Sequence, residues 1–440
     1  MTPQLPSRPP VTPPTPSQPL SPSPLPPVKV QPRHHRLRWT FLSIAVLIVL
    51  VLGTGDWLAY RAISVINTRK LDNSNAKLSF LQQLTHIVTS GDEQLQGEAD
   101  DRINMLLLGI GGPGHDGPYL TDTMIVVSYK PSLNQVSMLS IPRDLVVNIP
   151  GYDYRKINNV LSFGRDQKYP GGGEALTIKV VSDLLDIPIQ YYGLIDFKGF
   201  QEIIDRVGGI DVTVDTAFTD YSFPDNNYGY QTIRFAKGPQ HLDGTTALNF
   251  ARSRHGNNGE GSDFARAARQ QKIIEALKDK LLSFGTLSNP KKISDILGAL
   301  GTHSQTNMEV WEMIRLAKLT GDVSRDRIIN KVFEDSSTGF LKSATGTGGA
   351  YILVPRDGTY QDMKFLAQNI FLVHRAEVEA PHVAVVNATT FANLAQTMGK
   401  SISGFGLDVL KTASVKDATV GQTLILEANP GRFPAAVSFL

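Results

Sequence analysis

The chain contains no cysteine among its 440 residues. This absence excludes disulfides, thiolate metal sites and cysteine nucleophiles, although it does not choose between an extracytoplasmic and a cytosolic location. An excess of one charge is also missing, because 43 basic side chains accompany 41 acidic ones and the net charge is +2. Since no global basic field exists to hold nucleic acid, we expect no nucleic-acid partner.

The amino-terminal residues 1–38 differ in composition from the rest of the chain. Residues 1–32 hold about half of the 27 prolines, so they cannot build a core and should be disordered. Over the whole chain the hydrophobic content is 41%, which leaves room for two or three packed domains.

One long apolar segment follows this tail. Residues 39–60 begin with an uncharged run close to the lower limit for a spanning helix, behind a basic cluster at 33–38. Trp57 and Tyr60 suit a membrane interface, and the basic cluster places the amino terminus in the cytoplasm. We interpret 39–60 as a single-pass anchor in the cell membrane, with 1–38 cytoplasmic and the bulk of the chain outside. A cleavable signal peptide is the competing interpretation, disfavoured by the long tail in front.

Beyond the anchor, the pattern predicts a stalk at 61–100, a larger α/β domain at 101–376 and a small α/β module at 381–440. Helical patterns alternate with short apolar runs in the larger domain, which is typical of layered α/β folds. Its expected strands are 104–110, 123–129, 135–141, 188–196 and 210–214, and its expected helices are 174–185, 199–207, 263–282, 293–300 and 308–319.

Several segments carry more specific expectations. The continuous apolar run at 104–110 indicates a strand buried on both faces. Residues 216–238 suggest a loop-rich rim or lid over a site, and 343–349 a linker or loop of small residues. In the terminal module we expect strands at 383–386, 407–410 and 423–426 with a helix at 391–399. That module has no clustered ionisable groups, so we interpret it as a binding or tethering module.

Two groups of polar residues between 251 and 271 are candidates for an anion site. Arg252 and Arg254 are two residues apart, so in extended chain both side chains leave one face. Arg266, Arg269 and Gln270 are spaced so that on a helix they share one stripe. Arginine binds phosphate oxygens in a fork, so the cluster suits a pyrophosphate. Structural ion pairs with Asp263 and Glu260 explain the same spacing. The candidates are Arg252, Arg254, Arg266, Arg269 and Gln270.

A glycine-rich loop at 111–117 and the residue Asp122 form the second candidate region. The loop could bring backbone close to a ligand or be an ordinary turn. Asp122 opens the second strand beside the end of the first, so it shares an end with the loop. Arg143 follows the third strand, and because antiparallel strands alternate ends, the pattern does not require it at that edge.

Taken in order, nine short motifs resemble the LytR–CpsA–Psr family of bacterial envelope proteins over about residues 101–285. The motifs are Leu106-Leu107-Leu108-Gly109-Ile110, Thr121-Asp122-Thr123-Met124, Ser140-Ile141-Pro142-Arg143-Asp144, Lys156-Ile157-Asn158, Tyr191-Tyr192, Asp196-Phe197-x-Gly199-Phe200, Gly208-Gly209-Ile210-Asp211-Val212, Ala251-Arg252-Ser253-Arg254 and Arg266-x-x-Arg269-Gln270-Gln271. Residues 382–440 are similar to the carboxy-terminal module often attached to such proteins.

This resemblance implies a layered α-β-α core with a central mixed sheet and a glycopolymer transferase activity. The polymer would pass from a polyprenyl-pyrophosphate carrier to a hydroxyl of peptidoglycan or another wall glycan, with Mg²⁺ assisting. The prenyl chain would occupy an apolar tunnel in the core. By motif position Asp122 corresponds to a metal ligand, and the residues that would hold the pyrophosphate are Arg143, Arg252, Arg254, Arg266 and Gln270.

Two positions depart from the family pattern. Many members have a second acidic residue where this chain has Gly111, and an arginine where it has Leu120. Asp116 is our candidate for the missing carboxylate and metal ligand, with His115 as a neighbouring donor. A turn-capping role explains Asp116 equally well.

Two other functions fit the same motifs. One is a polyprenyl-pyrophosphate phosphatase, which would use the same site with water as acceptor. The other, which the departures at Gly111 and Leu120 keep open, is a non-catalytic protein that binds the carrier lipid or has a regulatory role. We expect purely structural roles for several further polar residues near the motifs, namely pairing for Asp144, loop structure for Lys156 and Asn158, solvation for His255, and capping or termination of elements for Asp196 and Asp211.

Overall fold

The computed structural model describes residues 93–225, 229–282, 301, 303–415 and 421–440. The expected tail at 1–38, anchor at 39–60 and helix at 293–300 lie outside these residues, as does most of the stalk. Within the part described, no helix is both long enough and apolar enough to cross a bilayer.

The strands of the described residues are β1 (Ile103–Ile110), β2 (Thr121–Lys130), β3 (Gln135–Ser140), β4 (Val146–Ile149), β5 (Asp153–Lys156), β6 (Tyr191–Asp196), β7 (Ile210–Val214), β8 (Phe218–Pro224), β9 (Tyr230–Phe235), β10 (Gly238–Leu242), β11 (Ser304–Thr306), β12 (Ile328–Val332), β13 (Leu341–Thr345), β14 (Tyr351–Pro355), β15 (His382–Asn387) and β16 (Asp408–Ser414). The helices are α1 (Val160–Asp166), α2 (Gly172–Leu185), α3 (Phe197–Arg206), α4 (Gly244–Arg252), α5 (Asp263–Leu282), α6 (Val310–Thr320), α7 (Gln361–Glu379), α8 (Leu394–Gly404) and α9 (Pro434–Phe439).

A six-stranded mixed sheet forms the centre, in the order β11-β6-β1-β2-β3-β12. The pairs β1/β6 and β3/β12 are parallel, whereas β1/β2, β2/β3 and β6/β11 are antiparallel. Apolar residues of α2 and α7 pack on one face, and residues of α5 and α6 pack on the other. The expected layered α/β fold with a central mixed sheet is therefore confirmed.

The ends of four strands meet at one edge of this sheet. Ile110 at the end of β1 pairs with Thr121 at the start of β2 and with Asp196 at the end of β6. Ser140 at the end of β3 pairs with Ile125 of β2. Because β1 and β3 are both antiparallel to β2, they run in the same direction and end at the same edge. The sequence pattern did not determine whether β1 and β3 end at the same edge. Because they do, Arg143, which follows β3, lies next to Asp122.

The first strand is not buried on both faces, contrary to expectation. Leu106 and Leu108 are 0% and 1% exposed, and they pack in the main core. Met105 and Leu107 point to the opposite face and are only partly buried. Met105 and Leu107 line a cavity. The continuous apolar run therefore has two causes, because one face of the strand packs in the core and the other forms the wall of this cavity.

Three further expectations required correction. The segment 216–238, expected as a loop-rich rim, contains the β8/β9 hairpin, whose bulge between Asp220 and Phe223 hides the strand alternation. Of the expected linker or loop at 343–349, the first three residues belong to β13, and only 346–349 lie in the connection of the β13/β14 hairpin. The pattern Thr306-x-x-Glu309 predicts a capping box for α6, but the box is formed by Glu309 and Glu312, and Thr306 belongs to β11.

The carboxy-terminal segment packs directly against α7. The backbone N–H groups of Ala435 and Ala436, at the start of α9, donate to the Glu379 carboxylate at 2.9 and 2.8 Å. Phe405 and Phe439 join the main apolar core with their rings 5.3 Å apart. The parallel β15/β16 pair is present as expected, but residues 423–426 form no strand.

Candidate active site at the sheet edge

Asp122 and Arg143 meet at the edge where the four strand ends converge. Arg143 donates from one terminal nitrogen to Asp122 Oδ1 at 2.5 Å, and its Nε lies 3.4 Å from Asp144 Oδ2. Lys156 completes the chain of charges by donating to Asp144 Oδ1 at 2.6 Å. The Asn158 backbone N–H donates to the Arg143 carbonyl at 3.2 Å. The expected pairing of Asp144 and the loop-structuring roles of Lys156 and Asn158 are therefore observed.

Arg252 occupies the last position of α4, so the expectation of an extended chain there is wrong. The Asp243 carboxylate caps this helix by accepting from the Thr246 N–H at 2.7 Å. Ala247 and Phe250 pack into an apolar cluster with buried residues of β7 and α5. Helical spacing of apolar residues therefore outweighs the alternation that would have put both arginines on one strand face. Arg254 follows the helix end, and it lines the same cavity as Arg252.

Arg252 differs from Arg143, Arg254 and Arg266, which line the same cavity, because it has no carboxylate partner among the described residues. Its guanidinium carbon lies 4.4 Å from the ring centroid of Phe197 and 5.5 Å from that of Phe223. Burial lowers its pKa, and the nearby charge of Asp122 acts in the opposite direction. The side chain therefore presents an uncompensated positive charge to the cavity.

Asp263, at the first position of α5, joins the two groups of arginines. Its Oδ1 accepts from Arg254 Nε at 2.8 Å and lies 3.1 Å from a terminal nitrogen of Arg266. Burial acts to raise the pKa of Asp263, but the charges of Arg266, Arg254 and Arg143 outweigh it and leave the pKa below 3.8. Burial lowers the pKa of Arg266 to about 10, so both side chains are charged at neutral pH. The alternative interpretation, in which the arginines form structural ion pairs with nearby carboxylates, is therefore confirmed for Arg254 and Arg266, which both pair with Asp263.

The expected polar stripe of α5 divides into two parts. Arg266 and Gln270 line the cavity, and Gln270 also donates to the Ala251 carbonyl at 3.2 Å. Arg269 turns into the protein and is 3% exposed. It binds the Glu260 carboxylate and donates to the backbone carbonyls of Phe250, Ser253 and Glu260. It fixes the turn that carries the cavity arginines and contributes nothing to the cavity wall.

Asp220 of β8 was not singled out by the sequence pattern, yet it organises the segment after Arg252. The side chain is 1% exposed and accepts from Ser253 Oγ at 2.7 Å and from the backbone N–H groups of Arg254 and His255 at 3.2 and 3.1 Å. Burial acts to raise its pKa, but these hydrogen bonds together leave the pKa lowered. No local signal reveals this role, because the partners are more than thirty residues away along the chain.

The glycine-rich loop 111–117 forms part of the wall of the same cavity. Gly112 has φ +83°, and a Cβ there would lie 2.8 Å from Asp196 Cβ, so glycine is required for this approach. Asp116 is exposed, lines the cavity with Asp122, and makes no hydrogen bond within the described residues. An added Cβ at Gly111 would lie 3.0 Å from His115 Cβ.

The remaining polar residues with expected structural roles behave differently from one another. Asp196 caps α3 by accepting from the Gly199 N–H at 2.8 Å, and His255 is exposed, both as expected. Asp211 does not cap or end an element. It lies within β7 and its carboxylate is 2.7 Å from Nδ1 of the exposed His241 on the neighbouring strand.

A cavity of about 2220 Å³ connects the arginines to the open face of the sheet. Its volume exceeds the roughly 300–1,000 Å³ of sites for drug-sized ligands. The polar end contains Asp116, Asp122 and the arginine cluster, which we define as Arg143, Arg252, Arg254 and Arg266. Apolar side chains of the sheet, α5 and α6 line the other end, including Met105, Leu107, Ile125, Ile274, Leu277, Met313 and Leu316.

The cavity wall also contains an ion pair between α1 and α2 that the sequence analysis did not identify. Arg165 of α1 binds the Glu174 carboxylate of α2, and its guanidinium carbon lies 4.6 Å from the ring centroid of Tyr119. Tyr119 belongs to the connection between β1 and β2, so this contact closes the wall between α1 and the glycine-rich loop.

The ion pairs around the arginine cluster leave an excess of positive charge. Five cations, namely Arg143, Lys156, Arg252, Arg254 and Arg266, face four carboxylates, namely Asp116, Asp122, Asp144 and Asp263. The remaining excess of one positive charge, partly shielded from water, is suited to an anion such as a pyrophosphate. The continuous apolar end is suited to a hydrocarbon chain. Together the fold and the cavity define a layered α/β protein whose cavity has a cationic end and an apolar end.

The sequence model of the LytR_cpsA_psr family matches residues 65–355. The chain therefore belongs to the LytR–CpsA–Psr family, and the family resemblance noted in its motifs is confirmed.

Two curated relatives illustrate the similarity. The polyisoprenyl-teichoic acid–peptidoglycan teichoic acid transferase TagU of Oceanobacillus iheyensis is 32% identical over 62% of this chain and 79% of its own length. The corresponding TagV of Bacillus subtilis is 30% identical over 66% of this chain and 69% of its own length. The crystal structure of B. subtilis TagV aligns with a TM-score of 0.47 at 30% identity, covering 61% of this chain and 96% of that one.

Proposed function

We propose that this chain transfers a glycopolymer from a polyprenyl-pyrophosphate carrier to a sugar hydroxyl of peptidoglycan or a related wall glycan, forming a phosphodiester. Family membership and the names of the transferase relatives support this activity. The single observation that carries it is the cavity, which runs without interruption from the arginine cluster to the apolar side chains of the sheet. A carrier lipid requires a cationic end for its pyrophosphate and an apolar end for its prenyl chain.

In the proposed reaction the arginine cluster binds the pyrophosphate, and the prenyl chain lies along the apolar end. The acceptor hydroxyl oxygen forms a bond to the phosphorus that bears the polymer. The bond between that phosphorus and the bridging oxygen breaks, and prenyl phosphate leaves. Charge accumulates on the phosphate oxygens during transfer, so fixed cations that require no reorganisation stabilise the transition state.

Asp122 is suited to help hold Mg²⁺. Its Oδ1 accepts from Arg143, but Oδ2 makes no hydrogen bond within the described residues, and the side chain borders the cavity. One or two carboxylates together with substrate phosphates are sufficient for this ion, which would neutralise charge on the pyrophosphate. Asp116 lines the same cavity and makes no hydrogen bond to any residue that the structure describes. It is our candidate for either the second ligand or the acceptor of the hydroxyl proton.

The two roles of Asp116 predict different results. Asp122→Asn is expected to weaken Mg²⁺ binding about tenfold or more, measured by calorimetry with a prenyl pyrophosphate present. If Asp116 is the second ligand, Asp116→Asn will weaken binding similarly. If it takes the proton, Asp116→Asn will lower kcat and leave Mg²⁺ affinity unchanged. Unchanged Mg²⁺ affinity in Asp122→Asn would contradict the assignment of Asp122.

The proposed activity can be separated from hydrolysis in a single assay. The full chain, purified in detergent, is incubated with a short prenyl-pyrophosphate-linked saccharide and Mg²⁺, with and without a peptidoglycan acceptor. We expect a phosphodiester-linked product and prenyl phosphate only when the acceptor is present. Release of prenyl phosphate at the same rate without acceptor would instead indicate a phosphatase. Binding of the lipid without either product would indicate a carrier-binding protein.

The same proposal places the chain at the cell membrane. Residues 39–60 would anchor it, with 1–38 in the cytoplasm and the arginine cluster outside, where wall glycans are located. The carrier lipid would then reach the cavity from the outer leaflet of the same membrane.

A further inference from the structure

Aromatic rings hold Arg252 where carboxylates hold the other members of the arginine cluster. Arg143 binds Asp122, whereas Arg254 and Arg266 share Asp263. The Arg252 guanidinium carbon instead lies 4.4 Å from the centroid of the Phe197 ring. A ring face attracts a guanidinium through its quadrupole without supplying a negative charge. The contact therefore fixes the side chain while leaving its charge available to an anion.

The Phe197 ring is itself held in a defined place. It is the first residue of α3, directly after the capping Asp196, whose other carboxylate oxygen lies 2.9 Å from His303 Nδ1. The His115 ring packs edge-on against Phe197, with centroids 5.1 Å apart at 74°. The ring thus lies between the glycine-rich loop 111–117 and Arg252, and it connects two walls of the cavity.

We propose that Phe197 is a positioning residue for the pyrophosphate, because its ring keeps the uncompensated Arg252 guanidinium in the cavity. The proposal rests on the proposed function of the arginine cluster and adds to it the group that orients its unpaired member. Phe223, the second ring near Arg252, is 2% exposed in the fold, so its replacement would disturb packing. Phe197 is only partly buried and is the better residue to test.

The test compares Phe197→Leu with Phe197→Tyr in the full chain in detergent. The probe is a short prenyl pyrophosphate, and its dissociation constant is measured by calorimetry. Leucine preserves bulk and apolar character but removes the ring face, so we expect affinity to fall by about threefold to thirtyfold. Tyrosine keeps the face and should bind within about twofold of wild type.

A double-mutant cycle establishes whether Phe197 acts through Arg252. In an Arg252→Ala background, Phe197→Leu is expected to change the affinity no further, because the group that it positions is already gone. Phe163→Leu is the matched control. It also removes an aromatic contact, with Tyr152 at 4.2 Å, on a helix face outside the cavity lining, and should bind like wild type.

The outcomes separate this inference from the proposed function. Wild-type affinity in Phe197→Leu, or an equal loss with and without Arg252, would overturn the positioning role. If Arg252→Ala itself bound the probe normally, the arginine cluster would not be the pyrophosphate site. The proposed function would then fail as well.

Discussion

Replacing Arg252 by alanine is expected to lower glycopolymer transfer by about a hundredfold to a thousandfold, the range for loss of one transition-state charge contact in a shielded site. Arg252 is the member of the cluster with no carboxylate partner among the described residues, so its full charge is available to the pyrophosphate. The measurement is the initial rate of phosphodiester formation with prenyl-linked donor and peptidoglycan acceptor.

The same substitution should leave the fold nearly unchanged. Removing Arg252 breaks no ion pair and loses only contacts with two aromatic rings, which together correspond to about 1–2 kcal/mol. Thermal unfolding should therefore remain close to that of wild type. Arg252→Lys is the control, because it keeps the charge but loses the planar fork, and should retain intermediate activity. A normal transfer rate in Arg252→Ala would contradict the role of the cluster.

Arg254 provides a contrast that only the structure reveals. From sequence, Arg252 and Arg254 look equivalent, and alanine at either position is expected to abolish transfer without affecting the fold. In the structure Arg254 shares the partly buried Asp263 with Arg266. Its loss leaves that carboxylate with less compensation, so the fold is affected as well.

The central sheet was largely predictable because its signals are local. Apolar runs of strand length, separated by glycine-rich or proline-containing turns, mark β1, β2, β3 and β7 within a few residues. The strand order, however, depends on tertiary pairing. That β6 lies beside β1, and β12 beside β3, follows from no local pattern.

The strand expected at 423–426 in the terminal module is absent because the segment has no pairing strand among the described residues. Residues 423–426 are apolar and were expected to form a strand. Leu424 and Leu426 are 59% and 88% exposed, and no strand of the described residues pairs with the segment. Strand propensity is realised only when another strand satisfies the backbone hydrogen bonds, which the sequence of the segment itself cannot reveal.

The arrangement of charges was the least predictable part of the site. Sequence spacing identified the arginines, but it could not assign each one a carboxylate, an aromatic ring or an interior position. Arg266 and Arg269 are three residues apart on α5, yet one lines the cavity and the other is fixed inside by Glu260. Asp263 was seen only as an alternative partner, although it joins both groups of arginines.

Replacing Asp263 by asparagine should therefore reduce both stability and transfer. Arg266 is 7% exposed, and without Asp263 its charge would be poorly compensated. Loss of one partner in a fully buried pair lowers the free energy of unfolding by about 3–5 kcal/mol. The Asp263 side chain is 23% exposed, so we expect about 2–4 kcal/mol here, measured by denaturant unfolding. Transfer should fall as well, because Arg254 and Arg266 lose their common anchor.

The pH dependence of stability distinguishes this ion-pair effect from a loss of packing. The pKa of Asp263 is lowered in the folded protein, so its contribution is complete above the unfolded value of 3.8 and is lost as pH falls through the lower folded value. Asp263→Asn should consequently lose less stability than wild type on acidification below 3.8. Asp211→Asn, which removes an exposed carboxylate beside His241, is the control and should change stability by no more than about 0.5 kcal/mol. Equal acid sensitivity in Asp263→Asn and wild type would mean that Asp263 does not hold the arginines through its charge, and that their placement depends on α5 alone.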